Sequence, residues 1–191
     1  TMRVKLLTVW SGLLPPWIDQ FRERIRANKI LDWQLIRVSD VSEMNRLVEH
    51  RLGVPCCKEH IYNVACDARP MFGHLFAKEI NGADWWGWID LDVVVGDLDK
   101  LLPPLLAEAE VVTTDLHSIH GPLTLMRNTE RVNSIYQWAK WKEVLADPEY
   151  WNFDETGYND PTELSRNGNP SLTKLVHEEM WDGLKVKWDN R

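Results

Sequence analysis

Trp85-Trp86-Gly87-Trp88-Ile89-Asp90-Leu91-Asp92-Val93 is the stretch from which both the fold and the chemistry of this chain are read. Residues 85–89 form a short, strongly apolar run, the pattern of a strand. On extended chain, residues two apart face the same side, so the carboxylates of Asp90 and Asp92 converge while Leu91 points into the core. Two converging carboxylates repel unless a cation lies between them, and hard oxygen donors suit Mg²⁺ or Mn²⁺. An isolated Asp-x-Asp is also ordinary turn sequence. Here an apolar run stands on both sides of it, and unpaired carboxylates in such surroundings are costly without a metal or basic partner.

The preceding half of the chain reads as strand, helix, strand, helix. Val4 to Val9 is a β-branched and leucine-rich strand, and Trp17 to Ala27 an amphipathic helix behind Pro15-Pro16. Trp33 to Val38 is a second strand, followed by a helix to Leu52 that Ser42 can cap. Ala68 to Ile80 has helical apolar spacing and stops at Asn81-Gly82. After the acidic pair come a helix over Leu98 to Ala109, broken near Pro103-Pro104, and short strands at Val111 to Thr114 and Leu123 to Met126. Helical sequence occupies much of Glu130 to Leu145, and a polar excursion runs from Asp147 to Pro170. A helix from Ser171 to about Met180 and a strand from Leu184 to Trp188 complete the order. The expected fold is α/β: one Rossmann-like domain over residues 1–191, with a mixed, mostly parallel sheet flanked by helices. In such sheets ligands collect at the carboxyl ends of strands, where Asp90 and Asp92 lie.

Bulk composition narrows the function. A formal net charge of −7 argues against a general nucleic-acid binder, which needs a positive face toward phosphate. No apolar run reaches membrane-spanning length. Cys56, Cys57 and Cys66 read as reduced thiols of a cytoplasmic protein rather than as staples. Thr1 ahead of Met2 reads as a cloning remnant, and the polar end at Arg191 suits a domain cut from a longer polypeptide with further domains. Of the 11 tryptophans some belong to the core, where the indole N–H finds a partner, and others are candidates for flat platforms against which sugar rings or bases stack; composition alone does not assign them.

Several motifs act together. Cys66-Asp67-Ala68-Arg69-Pro70-Met71-Phe72-Gly73 precedes Gly82-Ala83-Asp84 and the 85–92 stretch; Gly96-Asp97-Leu98, Gly121-Pro122-Leu123-Thr124-Leu125-Met126-Arg127-Asn128 and Phe153-Asp154-Glu155 follow. In this order and spacing they resemble GT-A-type glycosyltransferases with an Asp-x-Asp motif, a family found in bacterial polysaccharide loci and large DNA viruses such as the chlorella viruses. The resemblance spans roughly Val4 to Glu155. It implies a GT-A-like fold, a nucleoside-diphosphate sugar donor, with UDP-sugar favoured, and a divalent metal bridging the diphosphate.

On that footing the residues take roles. Asp90 and Asp92 hold Mn²⁺ or Mg²⁺, with His177 a third ligand or else a surface residue beside Glu178 and Glu179. Thr8, Trp10, Ser11 and Gly12, after the first strand, meet base and ribose together with Asp90 and Leu91. Asp40 accepts from a base N–H or merely closes an Asx turn. Arg69 contacts diphosphate, and Asp67 binds ribose or orients Arg69, unless it only caps a helix. His117, His120 and Gly121 face the acceptor, a glycan or glycoprotein hydroxyl. Asp154, ahead of Glu155, is the candidate base of an inverting transfer. Trp138, Trp141 and Trp151 are candidates for sugar stacking. The competing functions are metal-dependent nucleotidyl transfer, for which no Walker-type loop appears, and a non-catalytic carbohydrate-binding module.

Overall fold

The structure, a computed structural model, describes residues 2–114, 119 and 121–155 and the backbone of 186–188. Its centre is the 85–89 run. Trp85–Ile89 (β3) is buried at all five positions, between Val4–Trp10 (β1) and Leu123–Arg127 (β5). Leu31–Arg37 (β2) lies beyond β1; Val111–Thr113 (β4) and Val186–Trp188 (β6) lie beyond β5. The six-stranded order is β2-β1-β3-β5-β4-β6. The β1–β2, β1–β3 and β4–β6 pairs are parallel and β5 runs antiparallel to both neighbours. The expected mixed, mostly parallel sheet is therefore present.

Helices cover both faces, as alternation along β3 requires. Trp86 and Trp88 face one core with Leu7, Met44, Val64, Phe72 and Phe76. Trp85 and Ile89 face the other, with Val4, Leu6, Phe21, Ile25 and Leu106. The first layer is built by Val41–Leu52 (α2), Ile61–Asp67 (α3) and Phe72–Leu75 (α4), the second by Ile18–Arg26 (α1) and Leu98–Glu108 (α5). Glu130–Asn133 (α6) and Trp141–Ala146 (α7) complete the described helices, joined by a 3-10 segment, Ile135–Trp138. Among the described residues no helix is long and apolar enough to cross a membrane.

Some local expectations are corrected. The helix expected over 68–80 is instead a 3-10 turn at Arg69–Met71 and the single-turn α4, following α3, which ends at Asp67. Pro70 has no amide hydrogen to continue α3, so the chain tightens there and restarts. The cap of α2 is Asp40, not Ser42: its carboxylate accepts from the Glu43 amide at 2.9 Å. Pro103 and Pro104 do not break α5, because both lie on its exposed face, where freed carbonyls can meet water. Trp151 is core, Trp141 packs against the core, and Trp138 is exposed.

Gly87 explains how three tryptophans fit on one five-residue strand. A Cβ at this position would fall on the Thr124 carbonyl of β5, and a Leu125 methyl would lie 2.9 Å away. Gly87→Ala is expected to force β3 and β5 apart and to cost roughly 2–3 kcal/mol in a urea melt.

Candidate functional site

The carboxyl ends of the parallel strands β1 and β3 open onto one cleft of about 390 Å³. Its walls include Thr8, Trp10 and Ser11 from the end of β1, Tyr62, Cys66 and Arg69 from the α3 region, and Asp90, Leu91 and Asp92 beyond β3. Trp17, at the start of α1, closes one side. The parallel β1–β3 pair is held at its mouth by Thr8, whose hydroxyl donates to the Ile89 carbonyl at 2.6 Å. The same hydroxyl accepts from the Trp33 indole at 3.0 Å. Thr8 is thus a strut, 6% exposed, rather than a free ligand.

The acidic pair lies in a turn rather than on extended chain, the Val93 amide donating to the Asp90 carbonyl at 3.4 Å. β3 ends at Ile89, Asp90 is half-buried, Leu91 is buried and Asp92 is exposed at the turn. The Asp90 amide donates to the Pro122 carbonyl at 2.9 Å, tying the turn to the start of β5. The Leu91 carbonyl accepts from the Trp17 indole at 2.7 Å, which fixes a half-exposed ring over the cleft. Downstream, Asn28 holds the end of the same loop, accepting from the Leu98 amide at 2.6 Å and donating to the Gly96 carbonyl at 3.0 Å.

Arg69 organises the charges. Its guanidinium donates to Asp90 Oδ1 and, at 3.1 Å, to Asp154 Oδ2. Burial pushes the Asp90 carboxyl above its ordinary range; Arg69 opposes this, and the charges of Asp92 and Glu155 add to it. Glu155 is half-buried, with its carboxylate directly over Gly121 where a Cβ would stand. Asp154 is fully buried, and its Oδ1 has no hydrogen-bond partner. Burial raises the Asp154 carboxyl to about 7, against the pull of Arg69.

Two expectations fail on these facts. Asp154 cannot meet an acceptor hydroxyl, because it is enclosed behind Arg69; Glu155 is the more accessible carboxylate. Asp67 binds no ribose and caps no helix. It is fully buried, pairs with Lys58 at 2.6 Å and accepts the Trp151 and Phe153 amides at 3.0 Å each. Asp40 and Gly12 stand outside the residues that line the cleft: Asp40 is an exposed cap, and the Gly12 carbonyl accepts from Arg37 at 2.9 Å. His117, His120 and His177 lie outside the described residues.

A model of a family of unknown function, DUF6625, matches residues 6–181. The chain belongs to this family. No curated protein and no solved structure matches it. Membership in DUF6625 carries no activity with it, so the chemistry rests on the cleft.

That cleft suits a hard divalent cation in part. Among the described residues no three His, Cys, Asp or Glu side chains converge on one point. Asp90 and Asp92 are the two carboxylates on its wall, and Asp90 already shares one oxygen with Arg69. A Mg²⁺ or Mn²⁺ ion is commonly held by one or two carboxylates plus phosphate oxygens and water, so two donors are enough when a diphosphate completes the shell. Cys66 supplies no thiolate: burial pushes it up to about 12. Reading the sequence missed Trp17, Tyr62 and Lys58. The first two carried a signal, being aromatic residues beside helix starts; Lys58 carried none.

The raised Asp154 fixes a pH dependence. Its folded pKa of about 7 exceeds the ordinary 3.8, so its contribution to stability is full below 3.8 and is lost as pH rises through about 7. Asp154→Asn is expected to flatten the fall in unfolding free energy between those two values, read from urea melts across the pH series.

Proposed function

We propose that the chain is a metal-dependent glycosyltransferase. It moves a hexosyl or deoxyhexosyl group from a nucleoside-diphosphate sugar, UDP-sugar favoured, to a hydroxyl of a glycan or glycoprotein. The observation that carries this reading is the position of Asp90 and Asp92. They stand at the carboxyl end of a central strand, on the wall of a cleft that also holds Arg69 and the aromatic side chains of Trp10, Trp17 and Tyr62.

Asp90 and Asp92 would hold Mn²⁺ or Mg²⁺, which when bound neutralises the diphosphate and makes it a better leaving group. Arg69 orients Asp90 by its hydrogen bond and offsets repulsion among Asp90, Asp92 and Glu155. The indole of Trp17, anchored by its N–H, presents a flat apolar face suited to a base or a sugar ring. Glu155, beside Asp90 and Gly121, is the described carboxylate best placed to take the proton of an acceptor hydroxyl in an inverting transfer.

Calorimetric titration with UDP-, GDP- and dTDP-sugars, with and without Mn²⁺, tests the reading. One nucleotide class should bind only with metal, and Asp92→Asn should weaken it by roughly tenfold or more, a loss of about 1.4 kcal/mol. Binding of no nucleotide, or binding indifferent to both metal and substitution, would sink it. Release of free nucleoside diphosphate, rather than pyrophosphate, separates glycosyl from nucleotidyl transfer.

A further inference from the structure

Lys58 and Asp67 form an ion pair with both side chains wholly enclosed, away from the cleft wall. Enclosing two charges costs desolvation that their attraction only just repays, so a stability role alone explains such a pair poorly. What the pair grips is informative. Lys58 Nζ donates to the Glu149 carbonyl at 2.6 Å, while the two Asp67 oxygens take the Trp151 and Phe153 amides separately. Three backbone groups of one five-residue span are thereby bound to α3 and the loop before it. The two residues that follow this span are Asp154, against Arg69, and Glu155, over Gly121. Around the grip, Tyr150 donates to Asn152 at 2.8 Å, and Asn152 adopts a left-handed backbone with φ 52°.

We propose that the Lys58–Asp67 pair is a positioning device that clamps the backbone of residues 149–153 so that Asp154 and Glu155 are delivered to Arg69 and Asp90. Its functional side rests on the glycosyltransferase reading; its mechanical side does not. Asp67 sits two residues before Arg69 on the same chain, so one short segment sets both the guanidinium and the carboxylates that meet it. The clamp explains why Asp67 faces away from the cleft although its neighbours Cys66 and Arg69 line it.

The test separates clamping from bulk stability. Lys58→Met/Asp67→Asn removes both charges together, avoiding an orphaned buried ion, and leaves a side chain able to accept only one of the two amides. With the thermal midpoint within a few degrees of wild type, hydrogen exchange at Trp151 and Phe153 should accelerate by roughly tenfold or more. Amides of β1 and β3 should keep their protection, and Mn²⁺-dependent nucleotide binding should weaken by about tenfold. Unchanged exchange in 149–155 would overturn the clamp, and faster exchange with nucleotide binding intact would overturn its role in the site. If the double variant does not fold, Lys58→Gln/Asp67→Asn, which also removes both charges but keeps a donor for the Glu149 carbonyl, carries the same comparison. If wild type itself binds no nucleotide, the glycosyltransferase reading fails and the exchange measurement alone decides the clamp.

Discussion

A strand that is apolar on both faces has one stable place in a small α/β domain: inside the sheet, with helices above and below. β3 is such a strand, and its five buried residues dictate much of what surrounds it. Trp86 and Trp88 need a helical layer on one side, Trp85 and Ile89 need another, and Gly87 lets the β5 backbone approach. The polarity of the chain changes abruptly at Ile89, so the first acids after the strand must emerge where the sheet ends. This places Asp90 beside the carboxyl end of β1 without any further device. The Trp86 indole N–H finds Asn133 at 2.6 Å, and that bond in turn locks α6 to the central strand.

Emergence at the sheet edge does not by itself make a site; the charges there need a partner. Arg69 supplies it from the 3-10 turn that follows α3, three residues after Cys66, with which it shares the cleft wall. A guanidinium suits this role because its planar fork donates to two carboxylates at once while staying charged. Burial raises both Asp90 and Asp154, and the charge of Arg69 opposes the shift at each.

The parts legible in the sequence were those governed by local pattern. β3, α1 and α5 declared themselves by apolar runs or by period; Leu91 is buried as expected, but in a turn beyond the strand rather than by strand alternation. What escaped were pairings across long separations. Lys58 is an unexceptional residue after two cysteines until residues 149–153 fold over it, 91 positions away from the carbonyl it binds. Asp67 reads as a cap beside Pro70, and only its amide partners at 151 and 153 show otherwise. Asp154 and Glu155 are chemically near-equivalent neighbours, and in the turn they occupy consecutive side chains point different ways. Pattern cannot say which of the two is enclosed.

Asp90, Asp92, Asp154 and Glu155 bring four carboxyl groups to the neighbourhood of one guanidinium. With Asp154 near 7, that acid is partly neutral at physiological pH, and Arg69 is then left to balance Asp90. Asp92 stands exposed on the cleft wall, and Glu155 is half-buried beside Gly121. A purely anionic ligand such as a nucleoside diphosphate would be repelled from such a wall if it came alone. A diphosphate arriving with a divalent cation would not, since the cation satisfies carboxylate and phosphate together. If the proposed function holds, metal and nucleotide would therefore bind as a unit, with neither held tightly in the absence of the other.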